Sequence, residues 1–197
     1  MKNTLTLIAI AGIASAASAQ NFSLSIVGAP TTVAEGAVFS FDVTGDADVG
    51  THMLGGAFSM TSGSALISSM TWTPAAWSSF NTDGGYAGNG DYNAVVFGQL
   101  IIPGVPPFNV AAPGSELGGV IGTFQVTLAA TGSGVIDFAL VGESPFSLES
   151  IDPATGAGGN SSQGQLALNG ASVNVTPAPS ALALLGLGGI AAGRRRR

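Results

Sequence analysis

Asn81, Asp83, Asn89 and Asp91 put several oxygen donors into one short stretch, Asn81-x-Asp83-Gly84-Gly85-Tyr86-Ala87-Gly88-Asn89-Gly90-Asp91. Oxygens at alternate positions, among glycines that let carbonyls turn inward, suit calcium. The spacing is not that of an EF-hand, which also needs a bidentate Glu at its twelfth place. The competing reading is a solvated loop with Asn and Asp as turn formers. Asp46-x-Asp48 repeats the spacing in miniature and reads as a turn. Calcium is thus the one cofactor the sequence raises.

A second group is aromatic: Trp72, Trp77, Phe80, Tyr86 and Tyr92 lie close together in the chain. Exposed rings stack on the apolar faces of sugars, so Trp77, Tyr86 and Tyr92 form a candidate carbohydrate-binding set. Core burial is the commoner fate of such residues, and Trp72, which alternates with strand-like neighbours, is read that way.

Other chemistries are narrowed by absence of residue types. There is no Cys, which removes disulfides, thiolate metal sites and Cys nucleophiles. His52 is the only histidine, so a multi-His metal site is impossible and any Ser-His-Asp triad must use it. No G-x-S-x-G occurs, and a P-loop lacks its internal Lys. Two carboxylates flanking a cleft would make a glycosidase, but no pair stands out. No catalytic residue is assigned, and an enzyme ranks below a structural or binding role.

The elements that must position these residues are strands. Phe22, Leu24 and Ile26 alternate with Ser23 and Ser25; Phe39, Phe41 and Val43 alternate with Ser40 and Asp42. Phe124, Val126 and Leu128, then Ile136, Phe138 and Leu140, then Val173 and Val175 repeat the pattern. Period two with one apolar face means half-buried strands. The runs Ala65 to Met70 and Ala94 to Ile102 read as fully buried. Asn81 to Asn93 and Ala154 to Gln163 read as long polar loops. The expectation is an all-β fold, a single antiparallel β-sandwich of about eight or nine strands spanning residues 20–176.

Charge is segregated. The eleven acids all lie between Glu35 and Asp152, whereas the Lys and Arg residues are Lys2, Arg194, Arg195, Arg196 and Arg197. With both ends removed the domain has no Lys or Arg, which excludes nucleic acid and anionic headgroups as partners.

Both ends read as processing signals. Met1-Lys2-Asn3, an apolar run from Leu5 to Ile13 and Ala17-Ser18-Ala19 before Gln20 make a signal peptide over residues 1–19. Signal peptidase would cut between Ala19 and Gln20, its shallow pockets taking Ala17 and Ala19. At the other end, residues 177–197 run Pro177-Ala178-Pro179, an uncharged stretch from Ala181 to Gly193, and Arg194 to Arg197. An apolar stretch of about 13 residues is short for a spanning helix, which needs about 20. The arginines would hold its end at the cytoplasmic face.

This tail resembles the PEP-CTERM sorting signal, with Ala178 standing where that motif has Glu. The resemblance implies a transmembrane helix before processing and a partner, exosortase, a membrane-embedded cysteine transpeptidase that cuts near the Pro-x-Pro. It also implies an exported protein of the cell envelope, cell surface or extracellular matrix in a Gram-negative-type bacterium that makes exopolysaccharide. Within the middle, Val33-Ala34-Glu35-Gly36, the strand Val38 to Val43, Leu54 to Met60 and Ile121 to Val126 resemble, in order, a cohesin-like or carbohydrate-module sandwich. The reading is a surface or matrix protein with a structural or adhesive role; the alternative is a polysaccharide-binding module, and a secreted hydrolase comes third.

Overall fold

A computed structural model describes residues 20–178. Its strands are β1 (Asn21–Val27), β2 (Thr32–Ala34), β3 (Val38–Ala47), β4 (His52–Thr61), β5 (Ile67–Pro74), β6 (Gly85–Gly88) and β7 (Asp91–Gly98). After a long connection come β8 (Val120–Leu128), β9 (Gly134–Gly142), β10 (Glu149–Ile151), β11 (Gly158–Asn160), β12 (Gln165–Asn169) and β13 (Ala171–Thr176).

The strands form two sheets facing each other as an open sandwich. One has the order β12-β1-β3-β8-β5. The other has the order β11-β10-β4-β9-β13-β2, with β7 on the free edge of β4 and β6 beyond β7. β10 and β9 lie end to end along the same edge of β4, since Gly55 pairs with Glu149 and Phe58 with Gly142.

The alternating apolar residues decide which faces meet. Phe39, Phe41 and Val43 of β3, Phe124, Val126 and Leu128 of β8, and Ile136, Phe138 and Leu140 of β9 are all buried. Phe41 opposes Phe124 across β3 and β8, with ring centroids 5.7 Å apart, and meets Phe138 of the other sheet at 5.0 Å. Each such ring contributes roughly 1.5–3 kcal/mol by leaving water.

The structure corrects several sequence expectations. Pairing is antiparallel except at two places, where β12 runs parallel to β1 and β2 parallel to β13. The strands beyond those expected are short: β2, β10 and β11 have 3 residues each. Asn81 to Asn93 is no loop but contains β6 and the start of β7, and Ala154 to Gln163 contains β11. The run Ala94 to Ile102 ends as a strand at Gly98, and Val96, Leu100 and Ile102 are exposed. In Ala65 to Met70, Ile67 and Met70 are buried while Ser68 and Ser69 face solvent.

A bulge in β7 re-aims its side chains. Phe58 pairs with Val95 and Met60 with Tyr92, so Asn93 and Ala94 both oppose Ser59. Ser59 Oγ accepts the amide of Ala94 at 3.0 Å and donates to Glu143 Oε1 at 2.5 Å. That hydroxyl satisfies an amide the bulge takes out of the ladder.

Candidate functional site

The expected calcium ligands sit on and before the β6–β7 hairpin, where each has a different task. Gly88, Asn89 and Gly90 all have positive φ, so Asn89 is the left-handed residue of a tight turn. Asp91 Oδ1 accepts the amides of Ser62 and Gly63 at 3.0 and 3.3 Å, clamping the β4–β5 connection to the hairpin. Asp83 Oδ1 accepts Gly85 N at 2.9 Å and the Tyr92 hydroxyl at 2.8 Å. Asn81 is tied to Ser78 through both of its amide atoms. Among the described residues no group of three or more His, Asp or Glu gathers to hold a metal ion. Oδ1 of each of the two carboxylates accepts hydrogen bonds from within the protein, from backbone amides at Asp91 and from an amide and a phenol at Asp83.

The residues of the carbohydrate set differ in burial. Trp77 is 5% exposed; its Nε1 donates to the Val120 carbonyl at 2.7 Å and its ring meets Phe97 edge-on. Tyr92 is also 5% exposed, with its ring 5.0 Å from Phe124. Burial first, then the hydrogen bond and charge of Asp83, push its phenol up to about 12. Tyr86 opposes Tyr92 across the hairpin and donates to the Ile67 carbonyl at 2.8 Å. Trp77 and Tyr92 are thus buried, and Tyr86 is half-buried. Phe80, which was not assigned to the set, is the exposed aromatic of this segment at 58%. Trp72, read as core, packs on Phe124 at 4.6 Å.

His52 opens β4, with Nδ1 2.9 Å from Thr51 Oγ1. It lies close enough to Asp152 to lower that carboxyl slightly, behind the larger effects of the Thr155 hydroxyl and the Ala154 amide. Among the described residues no serine hydroxyl is bonded to its ring. Asp48, from the weaker Asp46-x-Asp48 pair, accepts the backbone and side chain of Asn21 at 2.9 and 2.7 Å, and those bonds lower its carboxyl.

What sequence reasoning missed is a groove of about 400 Å³ beside β4 and β7. Met53 and Phe97 point into the core, so their neighbours Leu54 and Val96 face out and line it. Ala57, Leu100, Pro145 and Phe146 complete the apolar wall, and Glu149 supplies the carboxylate. Partial burial raises the Glu149 carboxyl above its usual value. Ile102, Val105, Phe108 and Val110, on the connection to β8, are also exposed. From Tyr92 to Ser115 that segment has no charged residue. The missing charge was the available signal, but it was read as burial.

At the chain ends, Gln20 joins the sheet through its carbonyl, which accepts Gln165 N at 2.8 Å. Ala178 N donates to Glu35 Oε1 at 3.2 Å, so the start of the Pro-x-Pro abuts the domain directly. Ala17, Ala19, Pro179 and Arg194 to Arg197 lie outside the described residues. Among the described residues no helix is long and apolar enough to cross a membrane.

No protein-family model matches the chain, and no curated protein matches it. Solved structures do. A chain of a type I cohesin–dockerin complex from Clostridium thermocellum is 10% identical, over 79% of this chain and 99% of that one, with a TM-score of 0.50. A cohesin from Clostridium acetobutylicum is 13% identical over 80% and 92%, at 0.49. A non-cellulosomal cohesin from the archaeon Archaeoglobus fulgidus is 11% identical over 83% and 96%, at 0.43. At such identities the first of these speaks for architecture alone, and the architecture is the open two-sheet β-sandwich of cohesin modules.

Proposed function

We propose that this chain is an exported, non-enzymatic component of the cell surface or extracellular matrix, whose sandwich holds another protein. Residues 1–19 direct export, residues 20–176 form the working domain, and residues 177–197 sort the protein through an exosortase-like transpeptidase. The observation that carries the reading is the groove. The residues suited to small-molecule chemistry are consumed in holding the fold, whereas Leu54, Ala57, Val96, Leu100 and Phe146 offer apolar surface around one carboxylate. Solvent-facing apolar area of this kind marks contact with a macromolecule. The partner suited to it brings aliphatic or aromatic side chains and a Lys or Arg for Glu149. A second copy of the mature domain has no such cation to bring. The cohesin-like architecture supports this reading, since the similar Clostridium thermocellum structure is itself a protein–protein complex.

The test separates sorting from binding. Cells carrying wild type, Val96→Asp with Leu100→Asp, or Arg194 to Arg197 replaced by Ser are fractionated, and the protein is weighed by mass spectrometry. The groove variant should be exported and processed normally but lost from the matrix fraction. The arginine variant should be exported but unprocessed or misplaced. Groove variants retained as well as wild type would refute the binding reading, and identical mass and location for the arginine variant would refute the sorting one.

A further inference from the structure

β2 ends at Ala34, and the chain turns through Glu35 and Gly36 into β3. The Ala37 amide donates to the Ala34 carbonyl at 3.2 Å, and Gly36 supplies the positive φ of 72° that the turn requires. Because β2 runs parallel to β13, this turn stands beside the point where β13 gives way to the tail. Glu35 is bonded there through its backbone and through both carboxylate oxygens. Its amide donates to the Thr176 carbonyl at 2.9 Å. Its Oε1 accepts the Ala178 amide at 3.2 Å, and its Oε2 accepts the Gly132 amide, between β8 and β9, at 3.0 Å. Thr176 Oγ1 adds a bond to the Val33 carbonyl at 3.2 Å. Pro177 has no N–H, so the Ala178 amide is the first donor the chain offers beyond β13, and Glu35 takes it.

From this arrangement we propose that Glu35 is the positioning residue of the tail's processing site. Its carboxylate fastens the start of the Pro-x-Pro to the domain, and an exosortase-like transpeptidase reaches that segment only when the fastening opens. An enzyme that cuts a polypeptide holds it extended, through hydrogen bonds to its main chain. In the folded chain the Thr176 carbonyl and the Ala178 amide are already bonded to Glu35. β13 is also paired on both sides, with β9 and with β2. Processing therefore proceeds from a locally opened exit, and its rate follows the population of that opened form. A hydrogen bond to a carboxylate is stronger than one between neutral groups, so the Glu35 side chain sets much of that population. Its removal should raise the opened fraction by about 5- to 30-fold.

This role rests on the sorting reading of residues 177–197, so the experiment reads both. Full chains of wild type, Glu35→Gln, Glu35→Ala and Trp77→Phe are pulse-labelled in the cells used for fractionation. Conversion of precursor to product is then timed by mass. Glu35→Ala should be processed about 5- to 30-fold faster than wild type. Glu35→Gln keeps one acceptor oxygen and turns the other position into a donor, so its rate should fall between the two. Trp77→Phe disturbs the far end of β8, where the indole bonds the Val120 carbonyl, and should leave the rate unchanged. Equal or slower processing of Glu35→Ala overturns the fastening while the sorting reading stands. Acceleration by Trp77→Phe as large as that by Glu35→Ala overturns it too, since general loss of stability would then suffice. Absence of any processed product, wild type included, overturns the sorting reading and the role of Glu35 in it together.

A second readout needs no processing enzyme. In the purified full chain, held in detergent micelles, amide hydrogen exchange is followed by NMR. The Ala178 amide should be protected in wild type and exchange about 5- to 30-fold faster in Glu35→Ala, while the amides of β4 and β7 keep their rates. An Ala178 amide that exchanges equally fast in both proteins would overturn the fastening directly.

Discussion

Replacing Trp77 by Phe distinguishes a core indole from a sugar platform. The indole is 5% exposed and donates from Nε1 to the Val120 carbonyl at 2.7 Å. Phe keeps the edge contact with Phe97 but removes the donor to the part-buried Val120 carbonyl, at a cost of about 1–3 kcal/mol. The missing part of the indole leaves a cavity of roughly 40 Å³, worth about 1 kcal/mol at ~24 cal/mol per Å³. The expected loss is therefore about 2–4 kcal/mol, a large part of the roughly 5–15 kcal/mol that holds a domain together. With a urea slope near 2 kcal/mol/M, the unfolding midpoint should fall by about 1–2 M at unchanged slope. Trp77→Ala should be worse, about 3–5 kcal/mol for the ring before the hydrogen bond is counted. The assay is equilibrium urea unfolding of the mature domain followed by fluorescence and circular dichroism, with retention on immobilised polysaccharide measured in parallel. A midpoint within about 0.3 M of wild type, together with lost polysaccharide retention, would refute the assignment of Trp77 to the core.

Asp91→Ala removes the acceptor for Ser62 N and Gly63 N, and should lower stability by about 1–3 kcal/mol in calcium-free buffer, read by thermal melting. Calcium, magnesium and NaCl at matched ionic strength should shift the wild-type midpoint alike; a calcium-specific rise abolished by Asp83→Asn with Asp91→Asn would instead establish a cation site on the hairpin. Glu149 has a folded pKa raised by burial, so the native state keeps its proton longer than the unfolded chain. Stability is then lost as pH rises from the ordinary carboxylate value through the raised one. Glu149→Gln should melt like wild type below that window and above wild type at neutral pH; melts that stay parallel across the window would refute the cause assigned.

The strongly alternating strands were legible because Phe39, Phe41 and Val43, or Ile136, Phe138 and Leu140, place every apolar side chain on one face. The short edge strands were not. Gln165–Asn169 is largely exposed on both faces, and Gly158–Asn160 has almost no side chain to show a period. Such segments become strands because neighbouring edges have unpaired amides, which local sequence does not record. The hairpin from Gly85 to Gly98 was hidden by its bulge, which breaks the alternation between Tyr92 and Val95. At the candidate sites, residue type alone does not record what each side chain touches. Asp83, Asp91, Trp77 and Tyr92 have the chemistry of ligands, but long-range partners such as Ser62 and Val120 decide their use. The groove draws on β4, β7 and two separate connections, so no single stretch of sequence contains it.

The strand order has a mechanical consequence. β13 leads into the tail and is antiparallel to β9, which is antiparallel to β4. β4 and β13 therefore point the same way, and the groove near the start of β4 lies at the pole opposite the exit at Ala178. In a chain tethered by its tail and pulled by a partner in the groove, tension runs along the strand axes. The hydrogen bonds from β13 to β9 and β2 lie across that direction, so they are loaded together in shear rather than opened one after another. A folded domain of this topology resists stretching along its length far more than peeling at its edge.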